Sequence, residues 1–159
     1  MVSIKDIEKV EKENEGQTFN EPQNINSCEK NFQDLIDKYE IKYCYHNKEG
    51  EYTGYPMYQG YVNIGWHKLL DQLFKDLIDV GWDRKCAQIK EKFGGLRVYL
   101  GEETQEMSDL VSKAEIEASK TCEDCGSKKS VKAKSPTGWI MTLCSKCWKE
   151  IENRRKKNV

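Results

Sequence analysis

Residues 121–147 read TCEDCGSKKSVKAKSPTGWIMTLCSKC. Cys122 and Cys125 make one Cys-x-x-Cys pair, Cys144 and Cys147 make the other, and eighteen residues separate the two. One such turn can present two thiolates to a single point, and two turns supply the four corners of the tetrahedron that a structural zinc ion takes. A disulfide framework and a redox dithiol are the competing readings of the same four residues. Between the pairs, SVKAK and WIMTL flank the turn residues SPTG, and the second pair runs into the helical stretch WKEIENRRKK. The expected order is a knuckle, a hairpin, and a helix carrying the last two ligands.

That order is a treble clef, and its chemistry follows from the ligand set. Four cysteines leave no coordination position open to water, so one zinc ion here holds the fold and does not catalyse. Its binding free energy becomes folding free energy for a module too small to be kept together by core burial. The spacing resembles that of GATA-type fingers. A His-metal nuclease built on this frame needs a histidine on the hairpin, and residues 121–159 contain none. The zinc deaminase pattern is also missing, because His67 is followed by Lys68 and Leu69 and no proline precedes either cysteine pair.

A chain of 159 residues, 37% hydrophobic and 33% charged, fits one ordinary domain or one domain with a small zinc module appended. No apolar run reaches the ~20 residues that span a bilayer, and MVSIKDIEKVEK lacks the apolar core of a signal peptide, so a cytoplasmic location is expected. Seven cysteines, four of them spaced for metal, suit a reducing compartment. Cys28, Cys44 and Cys86 are then spare, with buried packing as their expected fate. The net charge of −1 conceals a division: residues 1–110 carry 14 Lys/Arg against 21 Asp/Glu, residues 111–159 carry 12 against 6. The basic end is densest at Arg154, Arg155, Lys156 and Lys157, which can meet nucleic acid or an acidic protein surface. Cations that suit the dipole at a solvated helix end are the competing reading.

Along the chain, Ile4, Ile7 and Val10 mark one narrow apolar stripe on a charged helix over 2–13, and the polar stretch NEGQTFNEPQNINS reads as a linker. Phe32, Leu35, Ile36 and Tyr39 predict a helix over 28–40; IKYCYH reads as a short strand and NKEG as a turn, with His46 at that turn. Trp66, Leu69, Leu70, Leu73, Phe74, Leu77 and Ile78 predict a helix over 65–80 at the centre of the core, stopped by Gly81. CAQIKEKF and LRVYL flank Gly94-Gly95, a pair that supplies the positive φ angles of a tight hairpin. A further helix over 103–119 delivers the chain to Cys122.

Seven of the eight tyrosines, Tyr39, Tyr43, Tyr45, Tyr52, Tyr55, Tyr58 and Tyr61, fall within 23 positions. Large, rather rigid rings with a polar tip suit a recognition surface, with Tyr52, Tyr55, Tyr58 and Tyr61 as the candidates. The same rings can stack on unpaired bases or cover the long helix as core. Only His46 and His67 offer imidazole, and His67 reads as a packing or surface residue. Lys92 and Arg97 can contact phosphate or carboxylate, or serve as solvated hairpin flanks. No nucleophile triad or phosphate-cradling loop stands out, so a non-enzymatic protein is expected.

The GW-led Leu-rich helix, QIKEKFGGLRVY, TCEDCG and GWIMTLCSKC together resemble a set of small uncharacterised zinc proteins of phages and prophages, over residues 64–148. The resemblance implies a phage setting. Phage proteins of this size include metal-binding anti-CRISPR proteins, so the implied partner is a host defence protein, a type II CRISPR effector nuclease above all. Nucleic acid bound by the treble-clef helix and the basic tail is the alternative; no membrane partner is expected. The expected class is α+β: an N-terminal helix and linker (1–27), a body of helices around a small β-hairpin (28–120), and a treble-clef-like zinc module with a basic C-terminal helix (121–159).

Overall fold

The computed structural model describes residues 27–43, 45–46, 52–53, 62–136 and 138–157. Among them the chain is a mixed α+β protein with four α-helices and three small sheets. Helix α1 (Ser27–Lys38) buries Phe32 and Ile36 and is followed by buried Tyr39 and Ile41. A 3-10 turn (Ile64–Trp66) leads into α2 (His67–Asp79), whose Leu70, Leu73, Phe74 and Leu77 recur at helical spacing and are fully or nearly fully buried. Its end is a Schellman motif, with Gly81 N–H donating to Ile78 O (3.0 Å) and Trp82 N–H to Leu77 O (2.9 Å). The left-handed turn falls on Gly81, whose φ is +89°.

The main sheet has the order β1 (Lys42–Tyr43), β4 (Lys85–Lys92), β5 (Gly95–Leu100), with β1 parallel to β4 and β4 antiparallel to β5. Cys86, Ile89, Leu96, Val98 and Leu100 form its buried side. Helix α3 (Gln105–Ala118) packs Met107, Val111, Ala114 and Ala118 into the same core, and Thr104 caps its start by accepting from Met107 N–H at 3.3 Å. A separate pair joins β2 (Tyr45–His46) to β3 (Tyr52–Thr53). The chain ends in a hairpin of β6 (Val131–Lys134) and β7 (Met141–Cys144), followed by α4 (Ser145–Lys157).

Three expectations need correction. The hairpin turn is Phe93-Gly94, with φ of 52° and 72°, while Gly95 is already the first residue of β5, paired with Lys92. A two-residue turn whose central residues both have positive φ matches the twist of the strands, which either register would give, and contact of Gly94 with Ile140 and Thr142 goes with the earlier one. IKYCYH is not one strand: Lys42–Tyr43 joins the main sheet, Tyr45–His46 joins the small pair, and His46 is therefore in a strand and not a turn. Cys144 closes β7, so the last helix carries Cys147 alone. The helix expected over 2–13, the linker after it and the NKEG turn lie outside the described residues.

Helices α1 and α2 are tied by Asp71, which accepts from Lys38 Nζ at 2.5 Å, Tyr39 OH at 2.7 Å and Lys75 Nζ at 2.7 Å. These donors, Lys38 first, hold its carboxyl well below the usual carboxylate range. A depressed folded-state value contributes stability that is complete above the unfolded pKa and is lost as pH falls through the folded one. Asp71→Ala is expected to cost about 1 kcal/mol at pH 7, discounted because the lysines are half exposed, and to matter less below about pH 4. Urea titrations at both pH values check this; an equal cost at both would assign the loss to packing.

Candidate metal centre

Two backbone turns aim the four thiols at one point. Residues 122–125 form a knuckle closed by Gly126 N–H donating to Cys122 O (2.9 Å) and Cys122 N–H to Ser127 O (2.8 Å), with Gly126 at φ +74°. Strand β7 brings in Cys144, opposite Val131, and the first turn of α4 brings in Cys147. All four Sγ atoms lie within 4.8 Å of one another, and Cys125 and Cys144 are 3.7 Å apart. Metal–sulfur bonds of ~2.3 Å in a tetrahedron give edges of about 3.8 Å, so the cluster suits a metal ion. A disulfide sets its sulfurs about 2.0 Å apart. None of the four is in a disulfide.

At Cys144 a backbone donor favours the thiolate form. The Cys147 N–H, first of the causes, lowers the Cys144 thiol to about 7. Burial raises Cys122 and Cys147, while N–H groups of Cys144, Cys125 and Asp124 face the Cys122 sulfur and oppose that rise. Such donors orient metal-bound sulfur and offset its charge. Around the cluster, Leu143 and Trp148 are buried, and Val131, Met141 and Ile151 pack against them. Trp148 Nε1–H donates to Lys132 O (3.1 Å), which closes α4 over β6.

The module is keyed to the body through backbone. Gly65 N–H donates to Glu123 O (2.7 Å), Trp66 Nε1–H to Thr121 O (2.9 Å), and Thr142 Oγ1–H to Gly94 O (2.6 Å). Glycine at 94 is thus required twice, by its φ and because a Cβ there would sit 2.9 Å from Ile140 Cγ2. Sequence reasoning missed Gly65, Thr142 and Glu123. Glu123 is only 2% exposed, and its Oε2 has no partner among the described residues. Burial, then the nearby Glu91 and Asp124 charges, push its carboxyl up to about 8. Nothing in the spacing of TCEDCG separates this buried acid from its neighbour Asp124.

Among the described residues, the remaining sequence candidates are not part of the four-thiol cluster. Arg154, Arg155, Lys156 and Lys157 occupy the exposed last turn of α4, where Arg154 faces Glu150 at 3.9 Å. Cys86 is buried in β4 with its S–H donating to Tyr99 O (3.0 Å), the packing role expected of it. His67 places Nε2 2.6 Å from Val62 O and its ring 5.7 Å from Phe32, which is packing as well. Tyr39 is in the core and Tyr43 is half buried. Tyr52 is on β3; Tyr55, Tyr58 and Tyr61 lie outside the described residues. No helix among the described residues is long and apolar enough to cross a membrane. Comparison with family models, curated proteins and solved structures gives no match.

Proposed function

We propose that this chain is a non-enzymatic binding protein whose treble-clef-like C-terminal module is closed by one structural zinc ion. The observation that carries this reading is the convergence of four thiols, with no other ligand among the described residues, on one point. Zinc is the d10 ion suited to a tetrahedral sulfur set, and four sulfurs leave it no site for water. The sequential order of knuckle, β6–β7 hairpin and α4 supports the treble-clef assignment. A groove of about 600 Å³ lies between α2 and α3. Its walls carry Leu69, Leu73, Leu110 and Ala114 beside the charged Lys68, Asp76 and Lys113, it reaches Cys125 of the cluster, and its Glu117 is engaged by Lys128 at 2.9 Å.

The partner we propose is a host defence protein, specifically a type II CRISPR effector nuclease, whose loading or cutting of DNA the chain blocks. This rests on the phage-protein resemblance of residues 64–148 and on the excess of acidic residues in 1–110, which suits a basic nucleic-acid channel. Zinc-loaded protein mixed with the nuclease is expected to co-elute with it and to suppress target cleavage at stoichiometric amounts. Unchanged cleavage with no complex at micromolar concentrations overturns the inhibitor reading. The exposed basic end of α4 favours one second reading, a regulator that binds duplex nucleic acid there. A salt-sensitive shift of duplex DNA that vanishes on deletion of 154–159 would establish it.

A further inference from the structure

Phe93 is in the wrong place for folding. It is 73% exposed at the tip of the β4–β5 hairpin, and its φ of 52° is a conformation that an aromatic residue adopts only at a cost in free energy. Asparagine or glycine would form the same turn without that cost, and Asn-Gly is the pair such turns favour. A strained residue that hides no apolar surface points to a use outside the fold. A second ring has the same character. Trp139 is 65% exposed in the β6–β7 loop beside Gly138, which has open space around its Cα. The two tips meet, because Gly94 abuts Ile140 and its carbonyl accepts from Thr142.

Cations flank the rings of the β4–β5 hairpin. Strand alternation turns Lys90, Lys92, Arg97 and Tyr99 to the face opposite buried Ile89 and Val98, with Lys90 directly across from Arg97. Lys92 Nζ is 5.5 Å from the Phe93 ring centre, and Lys90 Nζ is 5.6 Å from that of Tyr99, itself 45% exposed. Of the acids nearby, Glu91 accepts from Gly94 N–H (2.5 Å), while Glu115 accepts from Val98 N–H (3.1 Å) and faces Arg97 Nη1 at 3.8 Å, a half-exposed pair that a phosphate would compete with. Lys90 and Lys92 are about 7 Å apart along the strand, of the order of one nucleotide of extended single strand.

We propose that the tip and outer face of the β4–β5 hairpin, together with Trp139, bind single-stranded nucleic acid. Phe93 and Trp139 stack on bases, and Lys90, Lys92 and Arg97 meet phosphates. A protein hot spot is an apolar anchor ringed by contacts that exclude water. Here each hairpin ring is instead flanked by an ammonium group, which suits a ligand that alternates flat apolar faces with negative charge. A duplex keeps its base faces stacked inside and offers these rings nothing. The surface is separate from the basic end of α4 and does not depend on the nuclease reading.

The test is a fluorescence-anisotropy titration of zinc-loaded full chain with a labelled thymidine oligonucleotide of about a dozen nucleotides, beside a duplex of equal length. Single strand should bind about tenfold tighter than duplex and weaken as salt rises. Phe93→Asn and Trp139→Ala should each weaken binding about tenfold, while Phe93→Asn raises the melting temperature. Deletion of 154–159 should leave single-strand affinity within about twofold. The proposal is overturned by wild-type affinity in Phe93→Asn, by no binding at low salt, or by equal duplex binding that disappears with 154–159. Capture of a polyglutamate peptide in place of the oligonucleotide would make the surface a protein-docking site and would equally overturn it.

Discussion

Cys144→Ser is expected to lose the metal and unfold residues 121–157. The cluster has no spare ligand, since Cys86, the other described buried thiol, is in β4 with its S–H committed to Tyr99 O. Three sulfurs and a hydroxyl bind zinc far more weakly, and structural zinc contributes about 10–16 kcal/mol to small modules, more than most domains have to lose. The apolar set left behind, Leu143, Trp148 and the half-buried Val131, Met141 and Ile151, cannot replace it. Elemental analysis should find one zinc per chain in the wild type and well under one in the variant, with loss of the module's dispersed amide signals. Cys86→Ser should keep full metal content. Equal metal loss in both variants would remove the ligand assignment.

Gly65→Ala should be the most damaging conservative change outside the cluster. A Cβ at 65 would stand 2.2 Å from Cys122 O and 2.5 Å from Glu123 O. Both are backbone atoms, so no rotamer change relieves the clash. Separating the two segments also breaks the 2.7 Å bond from Gly65 N–H to Glu123 O and strains that from Trp66 to Thr121 O. Overpacking and lost hydrogen bonding together predict about 3 kcal/mol or more, read as a fall in the urea midpoint at unchanged slope. Gly81→Ala is the control. Its φ is positive and a Cβ there would meet no atom within 4 Å, so the change meets conformational strain alone, about 1 kcal/mol. A Gly65→Ala cost no larger than the control's would show that the module and body are not in firm contact.

The parts of the fold legible in the sequence are those in which a local pattern determines the outcome. The spacing of Leu70, Leu73, Phe74 and Leu77 gives α2, Gly81 gives its end, and the two Cys-x-x-Cys turns give the cluster. Turn register was legible only to within one residue, because a Gly-Gly pair offers two positions for positive φ. Pairing of the tip with Ile140 and Thr142, far along the chain, decides between them. The two-residue strands after Ile41 were not separable, since their partners are β4 and β3 and not each other. Glu123 and Gly65 were illegible for the same reason: their burial is a property of contacts between segments distant in sequence.

The close approach at Gly65 also limits what can be exchanged. A zinc ribbon that brings its own four thiolates would satisfy the metal, yet it would seat here only if its first knuckle offered two carbonyls to a residue without a side chain and a third to an indole N–H. The four-cysteine end is therefore not a portable cassette. Chimeras that join this body to another four-cysteine module, or this module to another body, should work only when the body presents the glycine and tryptophan to it.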